Sequence, residues 1–366
     1  MSIMNDLLET PAVVVDWDAV LANLRRTADR ARRAGVKLRP HTKTHKSVVI
    51  AQEQIRSGAH GITVAKLGEA EVMADGGIED ILVAFPIVGK AKLERLGKLM
   101  QRARITVSTD DYDVARGLSD LGETLRRRVP LYVDVNSGLN RCGREPGQET
   151  GEMIEQLITL PGVEVVGLMT HAGHAYGGHS DDDIRRIAVG EAESLLLTKG
   201  WLKRHKGIEI AEISVGSTPT ATFVEALPGV TEIRPGAYVF GDVSQIVTGT
   251  VTAADCALRV YATVVSTPRP GTAIIDAGSK TLTNDVNGFR KGYGLLPAYP
   301  DVIVERLSEE HGILRLPDGV SLKVGDVVEL IPNHCCTVVN LHDRLLLARG
   351  GRIESQLTVD ARGKIQ

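Results

Sequence analysis

The chain has 366 residues, with 43 Lys and Arg against 46 Asp and Glu, a formal net charge of −3. That balance excludes a nucleic-acid binder held by a general positive excess, and aromatic residues at 4% leave few rings for bases to stack on. No apolar run approaches the ~18–20 residues of a membrane helix and no secretory signal is visible. Four cysteines, two of them adjacent, predict reduced thiols in a cytoplasmic compartment rather than a disulfide framework.

In chain order, residues 12–15 read as a strand and 16–33 as a helix, with Val20, Leu21 and Leu24 on its apolar side. The alternation recurs: 61–64 then 66–74, 81–84 then 90–100, 105–108 then 111–121, followed by strands at 131–135, 163–169 and 208–213. About eight βα units in about 235 residues predict a parallel sheet closed into a barrel. From about residue 250 the helical periods vanish. Short β runs at 259–265, 273–277, 312–316, 327–331 and 344–348 are separated by Gly, Pro and Asp. The expected fold is α/β: a TIM-type (β/α)8 barrel over residues 1–250, then a C-terminal all-β domain over 251–366.

Six segments carry chemistry-bearing residues. The run Arg39–Pro–His–Thr–Lys–Thr–His–Lys–Ser47 follows strand-like 36–38. In an extended chain it places His41, Lys43 and His45 on one side and Lys46 on the other. A lysine at the C-terminal end of a barrel strand faces the usual active-site mouth. Neighbouring cations favour the neutral amine that attacks a carbonyl; the alternative is a solvated basic loop. The segment 133–143 ends a strand in a polar turn that presents Arg141 to an anion or a ring oxygen, or is simply a surface turn. Residues 169–179 hold His171, His174, Tyr176 and His179, a loop that lines a pocket better than it binds metal, because no further ligand type stands at the usual spacing. Gly216, Ser217 and Thr218, and then Arg234, Gly236 and Tyr238, follow the last predicted barrel strands, where free backbone amides suit a phosphate; ordinary turn chemistry gives the same residues. In the β segment, an extended 332–336 puts His334 and Cys336 on one face, a zinc-type pair with open positions, or else a buried thiol beside a capping histidine.

A phosphate cradle, an amine nucleophile and an arginine on a barrel together suggest pyridoxal 5′-phosphate, PLP. On the segments at 10–16, 39–46, 141–143, 216–218, 234–236, 308–312 and 332–337, the chain resembles the alanine-racemase-like (fold type III) PLP enzymes, and within them the D-threonine aldolase / D-serine dehydratase family. The resemblance implies that Lys43 holds the cofactor covalently and that Arg141 lies near its phenolic oxygen. His171 would pack against the pyridine ring. Gly216, Ser217, Thr218, Gly236 and Tyr238 would surround the phosphate, and His334 and Cys336 would bind a divalent metal, Zn2+ or Mn2+. It also implies a homodimer, a small D-amino acid as substrate, and no nucleic-acid or membrane partner.

Two departures bear on the reaction. His334-x-Cys336 stands where bacterial D-threonine aldolases have His-x-Asp and resembles the zinc-dependent D-serine dehydratases. Arg234 stands where alanine racemases set an arginine against the pyridine nitrogen, which leaves that nitrogen unprotonated and the ring a weaker electron sink. Both favour dehydration of a D-3-hydroxy amino acid to a 2-keto acid and ammonia. Retro-aldol cleavage to glycine and an aldehyde, with a metal-bound water, His171 or His174 as base, is the alternative, and amino-acid racemisation a second.

Overall fold

The computed structural model describes residues 8–178, 180–286, 288 and 290–366. Its strands are β1 (Ala12–Asp16), β2 (Lys37–Leu38), β3 (Ile62–Val64), β4 (Asp80–Val83), β5 (Arg104–Thr109), β6 (Val129–Asp134), β7 (Val163–Met169), β8 (Glu212–Val215), β9 (Glu232–Ile233), β10 (Leu258–Arg269), β11 (Thr272–Ile275), β12 (Ile303–Leu307), β13 (Gly312–Arg315), β14 (Val327–Leu330), β15 (Arg344–Arg349) and β16 (Arg352–Thr358). They form two sheets of eight strands each, and the chain divides into two compact units accordingly.

One unit comprises Thr27–Lys43, Val48–Gly236 and Gly363–Gln366. Its sheet runs in the order β2-β9-β8-β7-β6-β5-β4-β3, every pair parallel. The ring closes where the chain after β2 bridges His41 to Thr63 of β3, with Thr63 N–H donating to Pro40 O at 2.8 Å. Strands enclosed by helices bury both faces, and so Ile62–Val64 and Asp80–Val83 are buried along their whole length. The helices carry their own end signals. In Asp181–Lys206 the Ser180 side chain caps the N-terminus, three Asp occupy the first turn and Gly207 ends the helix in the left-handed region. Gly122 and Gly162 are required by close packing, since a Cβ on Gly122 would lie 2.0 Å from Gly162 O.

The second unit takes the described residues up to Arg26, Thr44–Ser47 and Ala237–Arg362. Its sheet runs β12-β13-β11-β10-β1-β15-β16, with β14 also on β10, and is antiparallel except for the β1–β15 pair. Here the structure corrects two expectations. Residues 12–16 are a strand, but they belong to this sheet and not to the barrel series; β2 and β9, each two residues long, complete the ring instead. The C-terminal segment is mostly, not wholly, β: Ser279–Leu282 and Cys335–Leu341 are helical. The second of these buries Cys335, Val338 and Val339, a helical spacing of i, i+3, i+4.

Candidate active site

The barrel collects its polar residues at the C-terminal ends of its strands, where barrel enzymes place their chemistry. His41 and Lys43 follow β2, Asp134 ends β6, Thr170 and His171 follow β7, Gly216 to Thr218 follow β8, and Arg234 follows β9. The chain around Lys43 is not extended as expected, because Thr42–Thr44 forms a 3-10 turn. His41 instead accepts the Lys43 amide at Nδ1, 3.4 Å.

The electrostatics show which side chains converge. His41 is pushed far below the ordinary histidine value, first by burial and then by Lys43, His171, Arg234 and Arg141. His171 is lowered to about 3 by burial, Lys43, Arg141 and Arg234, against an opposing hydrogen bond to Gly216 O. Both rings are therefore neutral at physiological pH. His171 Nδ1 lies 2.9 Å from Gly216 O. A carbonyl only accepts, so Nδ1 carries the proton and Nε2 is left with its lone pair. Asp134 is raised to about 6 by burial, with Arg234 and Arg141 opposing. Lys43, Arg141, His171 and Arg234 thus form one cluster of mutually felt charge.

Arg234 is 5% exposed and held at two points, Nη1 donating to Ser214 Oγ and Nη2 to Thr170 O. Gly216 has φ +131°, and a Cβ there would lie 2.8 Å from Arg234 N. The Gly216 amide is already donated to Glu191 Oε1 at 2.8 Å, and the Ser217 amide to Thr220 Oγ1 at 3.0 Å. Thr218 Oγ1, by contrast, is buried with no partner. Gly236 is buried. On the same unit, a cavity of about 490 Å3 is lined by Ser137, His174, Gly178, Asp183 and Arg186 among others. His174 Nδ1 is also buried without a partner, and burial lowers its pKa. Tyr176 belongs to the same turn, Gly173–Gly177; His179 lies outside the described residues.

The other unit holds the remaining predicted residues. Tyr238 is 5% exposed in the turn Ala237–Val239. His334 and Cys336 do not share the face of an extended chain: His334 caps the helix Cys335–Leu341 and Cys336 lies in its first turn. The helix start nonetheless brings them into hydrogen-bond contact, and Cys336 first and then Asp242 push His334 up to about 11, against burial. His334 Nδ1 lies 3.2 Å from Asp242 Oδ2, and Cys336 Sγ lies 3.2 Å from Thr44 Oγ1. Asp242 is fully buried and also accepts from Cys335 N at 3.1 Å and Gln245 N at 3.0 Å. Among the described residues no third His, Cys, Asp or Glu gathers with the pair as a metal-holding group. Lys46, in the left-handed region at φ +50°, donates its ammonium to Asn340 Oδ1 at 2.7 Å.

Sequence reasoning passed over Asp134, Ser214, Glu191, Glu232 and Asp242. Asp134 was legible as the acid closing a strand. The others are single polar letters inside apolar or turn segments, and only their partners distinguish them. No helix among the described residues is long and apolar enough to cross a membrane.

Residues 15–244 match the family described as "Alanine racemase, N-terminal domain" and residues 257–348 the "Putative serine dehydratase domain". The chain is 33% identical to a D-threonine aldolase of Arthrobacter sp over 97% of its length and 93% of the relative's. It is 32% identical to the D-threo-3-hydroxyaspartate dehydratase of Delftia sp. (strain HT23), over 90% of this chain and 91% of that one; a mutant of a D-threo-3-hydroxyaspartate dehydratase has been solved in a metal-free form. The crystal structure of D-threonine aldolase from Filomicrobium marinum superposes with a TM-score of 0.89 at 32% identity, covering 98% of this chain and 97% of that one. The chain belongs to the alanine-racemase-like family of PLP enzymes that includes D-threonine aldolase, D-threo-3-hydroxyaspartate dehydratase and D-serine dehydratase.

Proposed function

We propose that this protein is a PLP- and divalent-metal-dependent lyase of D-3-hydroxy amino acids that dehydrates its substrate to a 2-keto acid and ammonia. The observation that carries the reading is the convergence of Lys43, Arg141, His171 and Arg234 beside a buried, unpartnered Thr218 hydroxyl. These residues fit PLP. The Thr218 hydroxyl is a donor without a partner in a turn held open by Gly216, which suits a phosphate. Ser217 and Gly236 complete that turn region, and Tyr238 follows Gly236 in the chain. Lys43 would hold the aldehyde carbon, Arg141 the phenolic oxygen and Arg234 the ring nitrogen, with His171 against the ring. His334 and Cys336 fit a zinc-type ion. Asp242 occupies Nδ1, leaving Nε2 and the Cys336 sulfur as donors, and a two-donor set keeps positions open for water and substrate. When bound, PLP supplies electron withdrawal from the substrate's α-carbon and the metal a Lewis-acid contact for its hydroxyl.

The protein's own groups do the rest. The Lys43 amine, which with Arg141 and Arg234 acts on both His41 and His171, takes the α-proton. His171, lowered to about 3, stays neutral through the working range and is a poor proton store, which weighs against it as the base of a retro-aldol cleavage. Arg234 cannot give up a proton to the ring nitrogen, and a weak electron sink suits a reaction in which the leaving group departs promptly. The family further implies a homodimer, which sedimentation equilibrium tests.

The deciding experiment is a proton NMR time course with D-threonine, PLP and Zn2+ or Mn2+. 2-Ketobutyrate is the expected product. Glycine with acetaldehyde would make the protein an aldolase and remove the argument from Arg234 and Cys336.

A further inference from the structure

Arg234 is the end of a buried polar chain. Ser214 Oγ, which takes Arg234 Nη1, lies 2.5 Å from Glu232 Oε1. Glu232 Oε2 accepts from Arg39 Nε at 2.7 Å, and Arg39 Nη1 donates to Asp80 Oδ1. Glu232 and Ser214 are both 0% exposed and Arg39 is 6% exposed. The direction of each bond is forced. A guanidinium only donates and a carboxylate only accepts, so the Ser214 hydroxyl must accept from Arg234 and donate to Glu232. Glu232 is therefore the counter-charge of Arg39 directly and of Arg234 at one remove, in a region where water does not screen them. Thr170 O completes the clamp by holding Nη2, so two acceptors from the ends of neighbouring strands define the guanidinium plane.

We propose that Ser214 and Glu232 are positioning residues. They hold the Arg234 guanidinium in one plane, balance its charge, and so set the charge and hydrogen bonding that the ring nitrogen of the bound cofactor meets. This rests on the reading of Arg234 given above. Neither residue touches the cofactor; both act through Arg234.

The test is equilibrium titration of the apo protein with PLP, and separately with the carbocyclic analogue in which C–H replaces the ring nitrogen, followed by absorbance. The variants are S214A, S214T, E232Q and R234A, with S214A also made on the R234A background. S214A and E232Q weaken PLP binding about tenfold, the order expected for a lost bond to a charged group, and leave the analogue within about twofold. S214T, which keeps the hydroxyl, restores binding. S214A adds nothing when Arg234 is already absent, because the two act as one unit. Thermal melts report folding; if E232Q fails to fold for want of a partner to Arg39, the S214A and S214T pair carries the test. Equal losses for PLP and its analogue, or an undiminished S214A effect without Arg234, would overturn the proposal. If R234A itself binds both ligands as the wild type does, the reading of Arg234 falls and the proposal with it.

Discussion

Asp242 offers a sharp test of the metal pair, because one buried carboxylate serves three donors. Its Oδ1 caps the helix Val243–Val247 through Gln245 N at 3.0 Å, while Oδ2 takes Cys335 N at 3.1 Å and His334 Nδ1 at 3.2 Å. Truncation to Ala removes a cap worth about 1 kcal/mol and strands a buried amide at a cost of about 1–3 kcal/mol. We therefore expect D242A to lose roughly 3 kcal/mol in urea unfolding. D242N is more informative. Its Oδ1 still caps the helix, but its amide N–H faces His334 Nδ1 and drives the ring proton to Nε2, the nitrogen a metal needs. Zinc affinity of D242N, read by calorimetry on purified protein, should fall 10–100-fold, or about 1.4–2.7 kcal/mol. The decisive comparison is with C336A. If C336A loses zinc while D242N binds it as the wild type does, Asp242 does not orient His334 and the reasoning fails.

Three further outcomes are expected. Thr218→Val removes a buried hydroxyl that has no partner, so apo stability should hold or rise by about 1 kcal/mol while PLP affinity falls about tenfold; unchanged PLP affinity would separate Thr218 from the phosphate. Cys336→Ala should abolish metal-dependent turnover yet leave the absorbance of Lys43-bound cofactor, and activity surviving in metal-free buffer would remove the metal from the reaction. Asp134, raised to about 6 from 3.8, binds its proton more tightly folded than unfolded. Its favourable contribution is complete below about pH 4 and is lost as pH rises through 6. Asp134→Asn should therefore match the wild type at pH 4 and be more stable at pH 7, by roughly 2 kcal/mol once partial solvent access is allowed for. Urea curves of the apo protein at the two pH values decide it, and equal differences at both would refute the assignment.

Most of the barrel was legible because its signals are local. Short runs rich in β-branched residues, such as 62–64 and 81–83, alternating with capped amphipathic stretches, specify strand and helix whatever lies elsewhere in the chain. The loops that follow those strands were legible for the same reason: Lys43, Arg141, His171, Gly216 and Arg234 stand at the ends of recognisable runs. Lys46 illustrates the boundary. Three residues from Lys43 and identical in chemistry, it is separated from it only by its partner, Asn340.

What tertiary structure alone decided were the partners. The pattern of residues 12–16 says strand but cannot say whose neighbour, since a period of two encodes a face and not a sheet; β10 and β15, far along the chain, claimed it. An extended 332–336 would put His334 and Cys336 on one face, but burying Cys335, Val338 and Val339 together requires a helix, and packing decided it. Buried charges follow the same logic. Glu232 pairs with Arg39, and Asp242 with His334, because chain closure brings together residues that a reading along the chain keeps nearly two hundred and nearly one hundred positions apart. A buried charge must find a partner, and the identity of that partner is a property of the closed fold, not of the local sequence.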